Sequence, residues 1–317
     1  MTVSADRMHT GDSPPLPRCQ EPLPQRSDGP VVDGYRLLSR IGKGGTATVF
    51  LATPLTGGPP VAVKMIGRGA GITSCRREFA IASTVDAACT AAPITHGITE
   101  TGSYLVTAYL QDYRCGAGLM GETMSIASLL TFGADLADTL ASMHDSGVVH
   151  CDVKPSNLLV GDYDVRVIDF GISQYVGERP ADDGFVKCSR GWAAPEQLRG
   201  VPLAPSVDVF AWGSLMAYLS TGIHPFAGRL EADWIRRVGS GQPNLSGLHQ
   251  SVDAVVRPAL AHDPRDRPSA HELAASCRDG ARRASTLDST PRPRPTADRT
   301  DWAEEATAAC TVARTPD

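Results

Sequence analysis

Between Tyr35 and Ile66 the chain alternates apolar and polar residues around a glycine-rich turn, as YRLLSRIGKGGTATVFLAT and then PPVAVKMI. Alternation with a period of two places every second side chain on one face, so the stretch predicts three antiparallel strands. From Ser74 to Val85 the apolar spacing lengthens to that of a helix. Strand pattern returns in PITHGIT and SYLVTAYL and ends at Leu110. Beyond about residue 122 the pattern turns helical: IASLLTFGADLADTLASMHDSG carries Leu, Ala and Met at helical spacing and stops at Gly147. VDVFAWGSLMAYLSTG and VDAVVRPALA continue it. The fold class expected is α+β, with a small antiparallel β-rich lobe carrying one helix over residues 31–110 and a larger, mainly helical lobe over 111–278.

The flanks lack this periodicity. Residues 1–30 contain SPPLPR and EPLPQR, and the stretch from 279 to 317 contains ARRASTLDSTPRPRPTADRTD. Both are expected to be disordered tails. A net charge of -5 gives no global electrostatic case for nucleic acid or an anionic membrane as partner. No run approaches the roughly 18 to 20 apolar residues of a membrane span. The N-terminus carries neither a secretory h-region nor a lipidation motif, so a cytoplasmic location is expected. The eight cysteines form no C-x-x-C pair, which argues for reduced thiols rather than a zinc or thioredoxin-like site. Lysine is rare: Lys43, Lys64, Lys154 and Lys187 stand in a chain otherwise supplied with charge by Arg. A retained Lys marks places where a compact ammonium does what a planar guanidinium cannot.

Chemistry enters with the spacing of particular residues. In IGKGGTATV, Gly42 and Gly44 sit on a strand-turn-strand where backbone can approach a triphosphate without a Cβ in the way. A strand rather than a helix follows, which excludes a Rossmann reading. VAVK then puts Lys64 on the third strand, and Glu78 is the only acidic residue between Lys64 and Asp86. VVHCDVKPSNLLV carries Asp152, Lys154 and Asn157 on a loop between a helix and a short strand, and VRVIDFG sets Asp169 at a strand end.

In these motifs the chain resembles a eukaryotic-type, or Hanks-type, protein kinase, and most of all bacterial Ser/Thr kinases, over about residues 33–275. The resemblance implies a bilobal kinase fold, with ATP and Mg²⁺ (or Mn²⁺) as cofactors and Ser/Thr-bearing proteins as substrates. It implies that Lys64, held by Glu78, contacts phosphates; that Asp152 takes or orients the substrate hydroxyl proton; and that Lys154 neutralises the transferring phosphoryl. Asn157 and Asp169 would hold the metal. Nucleotide would lie against Ile41, Gly42, Lys43, Gly44, Gly45, Val49, Ala62, Lys64, Ala108, Leu110, Asn157, Leu159 and Asp169, with Thr107 as gatekeeper and Ala108 to Leu110 as hinge. AAPEQL, Asp208 and Arg267 extend the likeness, with Glu196 expected to pair with Arg267.

The departures are specific. Ala47 stands where the family has a third Gly, and Cys151 replaces the Arg that meets a phosphorylated loop. No Thr lies between Asp169 and Glu196, where the hydroxyls are those of Ser173, Tyr175 and Ser189. The loop is therefore expected to hold without phosphorylation, by contacts of its own such as Phe185 and Trp192 on the helical lobe or by a bound partner. Ser189 is expected to bond Asp152 in place of the usual Thr. Cys151 and Cys188 flank the cleft and are read as small residues of a reduced protein. His150 is expected to be a packing residue and His144 a surface or helix-end one. A pseudokinase scaffold and a small-molecule kinase use overlapping residues; the complete Lys64, Asp152, Asn157, Asp169 set weighs against the first, and AAPE with Arg267 against the second.

Overall fold

The computed structural model describes residues 29–44, 47–67, 71–178, 185–228, 230–285 and 309–313. Its N-terminal half-barrel is one antiparallel sheet formed by β1 (Val31–Val32), β2 (Tyr35–Lys43), β3 (Ala47–Pro54), β4 (Val61–Gly67), β5 (Pro93–Thr99) and β6 (Gly102–Ala108), in the order β1-β2-β3-β4-β6-β5. The alternation seen in the sequence becomes the two faces of this sheet. Leu37, Ala52, Val61, Val63, Tyr104 and Val106 form its core on one side. On the other, Ile66 and Leu105 pack with Cys75 of helix α1 (Gly71–Ala82). Helix α1 stops three residues before the predicted end, because Ser83 and Thr84 turn their hydroxyls back onto the carbonyls of Phe79 and Ile81. Those bonds compete with continuation of the helix.

The helical lobe is built on α2 (Ile126–Asp145) and α4 (Ser206–Thr221). Ser125 caps α2 by accepting from the Ser128 N–H, and the helix ends in a turn through Gly147, whose φ of 75° suits glycine. Gly133 lets the two helices meet: a Cβ there would lie 2.6 Å from Met216 Cε, and the Trp212 indole donates to the Gly133 carbonyl at 2.9 Å. Around them lie α3 (Pro195–Arg199), α5 (Glu231–Gly239), α6 (Gln250–Ala259) and α7 (Ala270–Ser285). Short strands lie towards the cleft: β7 (Arg114–Cys115), β9 (Leu158–Val160) and β10 (Val165–Val167) form one sheet, and β8 (Val148–Val149) pairs with β11 (Gln174–Tyr175).

Two features depart from the expected C-terminal boundary at 278. Helix α7 continues to Ser285 because Gly280 and Ala284 remain on its buried face. Further on, β13 (Ala309–Ala313) pairs antiparallel with β12 (Phe185–Ser189). The expected N-terminal tail lies outside the described residues except for Gly29 and Pro30, and so does Gly45. No helix among the described residues is long and apolar enough to cross a membrane.

Candidate active site

Strand β4 and helix α1 bring Lys64 and Glu78 together, and the strand end after β10 adds Asp169. The Lys64 Nζ donates to Glu78 Oε1 at 2.6 Å and to Asp169 Oδ1 at 2.7 Å. Burial would lower the Lys64 ammonium, but Asp169 and Glu78 hold it above the usual lysine range. Burial raises the Glu78 carboxyl, opposed by Lys64, and Glu78 stays above its ordinary value. Burial opposes ionisation of Asp169 too, yet Lys64 keeps it below the carboxylate norm. One ammonium thus stands between two carboxylates, of which the Asp169 side chain is 42% exposed. Gly171 fits tightly here, since a Cβ would lie 3.2 Å from Asp169 Oδ1.

The loop after β8 is held by its backbone. Asp208, fully buried near the start of α4, accepts from the N–H groups of His150 and Cys151, both at 2.8 Å. Gln197 donates to the Cys151 carbonyl at 2.9 Å, and Ser173 to that of His150 at 2.9 Å. This restraint keeps Cys151 at φ 66° and sits beside Asp169 at φ 71°; both are left-handed conformations that a non-glycine residue adopts at a cost of about 1–3 kcal/mol. Asp152 then projects with one oxygen occupied. Its Oδ2 is 3.0 Å from Lys154 Nζ and accepts from Asn157 Nδ2 at 2.9 Å. Its Oδ1 is buried without a hydrogen-bond partner among the described residues.

Strand register gathers the expected nucleotide residues. Gly42 lies opposite Val49, Val49 opposite Lys64, and Ala62 opposite Thr107. Cross-strand partners and residues two apart share a face, so these positions line the same side of the sheet as Lys64. Lys43 ends β2 and Gly44 follows it. Ile41 falls in a register shift between Arg40 and Gly42 and has no paired residue. Ala108 closes β6, with Leu110 two residues on, and Leu159 lies on β9 opposite Arg166. For a divalent cation, Asn157 and Asp169 offer the hard oxygen chemistry required, and no cluster of three or more His, Cys, Asp or Glu side chains among the described residues forms a ready-made cage. That donor set suits a cation that keeps waters and phosphate oxygens as its other ligands.

Several expectations meet their residues. Arg267 makes a two-pronged pair with Glu196, at 2.6 and 3.0 Å, stacks on Phe210 and donates to the carbonyls of Ser206, Ala261 and His262. His150 packs edge-on against Phe170, and Trp192 is buried against Tyr218 and His224. The side chain of Phe185 lies outside the described residues. Other expectations change. Ser189 does not bond Asp152: its hydroxyl accepts from Lys154 Nζ at 2.5 Å, so the lysine bridges the two. His144 is the helix-end residue expected, and it also bonds Asp208 at 3.0 Å. Burial holds the Cys151 thiol well above its usual value, which suits an inert thiol. Arg77, next to Glu78, pairs with Glu178 at 2.6 Å and donates to the Ser173 carbonyl; sequence reading missed it, and nothing in its spacing singles it out.

Comparison with known proteins adds a family match and three relatives. The protein kinase domain family model matches residues 35–276. The chain is 34% identical over 268 residues to a probable serine/threonine-protein kinase, PkwA, of Thermomonospora curvata, which covers 80% of this chain and 35% of that protein. It is 30% identical over 278 residues to serine/threonine-protein kinase PknJ of Mycobacterium tuberculosis, covering 80% of this chain and 47% of the relative. With AfsK of Streptomyces coelicolor the figures are 28% over 255 residues, 76% and 31%. The chain thus spans about a third to a half of the length of these curated relatives.

Proposed function

This chain belongs to the protein kinase domain family, and on that premise we propose that it transfers the γ-phosphoryl group of ATP to Ser and Thr hydroxyls of proteins, its own included. The observation that carries the reading is the Asp152 carboxylate: Oδ2 is anchored by Lys154 and Asn157, while Oδ1 is buried and unpartnered, ready to accept a substrate hydroxyl proton. Lys154, 3.0 Å from that carboxylate, counters charge on the transferring group, and Lys64 steadies the phosphates from the sheet. The family works with ATP and a divalent metal; here Asn157 and Asp169 would hold Mg²⁺, which offsets phosphate charge when bound. The residues lining the sheet face with Lys64, and the hinge at Ala108 to Leu110, would take the nucleotide.

The same reading takes 31–278 as the catalytic domain, extended by the rest of α7, and sets it in the cytoplasm, where ATP is supplied. Nucleic acid has no part in it. The test is incubation with labelled ATP, Mg²⁺ and a generic basic protein, beside Asp152→Asn, followed by phosphosite mapping. Label on Ser and Thr with wild type alone is expected. An unlabelled substrate, equal labelling by the variant, or predominant phosphotyrosine would overturn it, and nucleotide binding without transfer would favour a scaffold.

A further inference from the structure

Strand β12 belongs to the segment that runs from Asp169 towards Glu196, and it carries an unusual neighbour. Residues 309–313 pair with it antiparallel over its whole length: Phe185 opposite Ala313, Val186 opposite Val312, Lys187 opposite Thr311, Cys188 opposite Cys310 and Ser189 opposite Ala309. Val186 and Cys188 are buried against the helical lobe while Lys187 is exposed, so one face of β12 is fixed to the domain. The edge of such a strand offers a row of backbone N–H and C=O groups that an extended chain can complete. This edge also ends beside the reacting group. Ser189, opposite Ala309, accepts from Lys154, and Lys154 pairs with Asp152.

Residues 286–308 join the end of α7 at Ser285 to Ala309, so the pairing is made within one chain. Because Ser189 is joined to Asp152 through Lys154, an extended substrate on this edge would bring its chain beside Asp152.

We propose that residues 309–313 are an intramolecular occupant of the β12 edge and compete there with extended protein substrates; the substrate half of this rests on the kinase reading above. The tail is thereby a built-in restraint on access, released when a substrate or partner displaces the strand. A Cys310→Pro, Thr311→Pro double variant tests it in the full chain, because successive strand N–H groups point to opposite edges, so one of the two prolines removes a ladder N–H without touching the catalytic residues. A chain ending at Ala308 serves as a second variant.

Three readouts apply. Amide hydrogen exchange at 185–189 is expected to be slow in wild type and faster in both variants. A labelled synthetic peptide of residues 305–317 is expected to bind the variants more tightly than wild type, whose edge is filled. If the tail fills the edge about nine-tenths of the time, KM for a protein substrate falls about tenfold in the variants, with kcat and KM for ATP unchanged. Unchanged exchange, or equal peptide binding, overturns the docking. Faster exchange with an unchanged protein-substrate KM overturns the competition. The first two readouts need no turnover, so a chain that transfers no phosphate refutes the kinase reading while they still decide the strand.

Discussion

Lys64 holds two carboxylates at once, and what its removal does follows from where they lie. Glu78 is only 4% exposed, so without the ammonium it would sit buried beside Asp169 with no counter-charge, and it would take up a proton rather than stay ionised. Lys64→Met is therefore expected to fold, and to transfer phosphate slower by about 10²-fold or more, as is Asp169→Asn. Initial rates of substrate labelling, with circular dichroism to verify folding, check both; a folded variant with near wild-type turnover would contradict the roles. Asp208 calls for the opposite expectation. It accepts from two buried backbone N–H groups and from His144, so Asp208→Ala strands them and is expected to destabilise the chain by about 3 kcal/mol, read from urea denaturation. Sequence reading found Asp208 as a residue of the kinase-like set, but not what it holds, because its partners are backbone groups that bear no sequence signal. Glu196 and Arg267 were legible as a pair for the contrary reason: each lies in a short recognisable motif, and a buried arginine requires a carboxylate.

Between elements, α1 meets the segment after Asp169 through one ion pair and one hydrogen bond. Arg77 pairs with Glu178 and donates to the Ser173 carbonyl, so this part of the segment is tied to α1 by a carboxylate already in the chain, with no added charge needed. Treatment with phosphatase, followed by its removal, is expected to leave the initial rate unchanged; a large loss restored by preincubation with ATP would refute this. Arg77→Ala should cost only about threefold in rate, because the pair is half-exposed and such pairs contribute about 0–1 kcal/mol. The pair is also acid-sensitive in a definite direction. Burial alone would raise the Glu178 carboxyl, but hydrogen bonds from Arg77 and the Tyr175 N–H hold it below the usual glutamate value. Its contribution is thus complete above that usual value and is lost as pH falls through the lowered one. The absence of Thr and the Cys at 151 were visible in the sequence; this pair was not, since residues 77 and 178 meet only through the fold. Strand β13 escaped for another reason: ACTVA is five residues within a tail rich in Pro and Arg, too short for a periodicity of its own.

For the molecule as a whole, the question is where the folded domain stops. The apolar pattern suggested 278, but burial extends further: Gly280 and Ala284 lie on the face of α7 turned to the helical lobe, and a Cβ at Gly280 would come within 3.1 Å of Leu130 Cδ1. The mixed composition of the last turns, with Arg282, Arg283 and Ser285 on the exposed side, hides a face made only of Gly and Ala, which carry little hydropathy but allow close approach. A chain ending at Arg278 loses two turns of packed helix, and removal of such packing is expected to cost about 2 kcal/mol. In a domain of this size that lowers Tm by about 4–8 °C. A chain ending at Ser285 keeps the helix and gives up only the 286–317 segment, so its Tm is expected to match that of the full chain to within about 2 °C. Thermal unfolding of the three chains side by side decides the matter. Equal Tm values for the chains ending at 278 and 285 would mean that the last turns of α7 add nothing. A fall already present at 285 would mean that the pairing of β13 with β12 contributes to global stability, and not only to access at the edge.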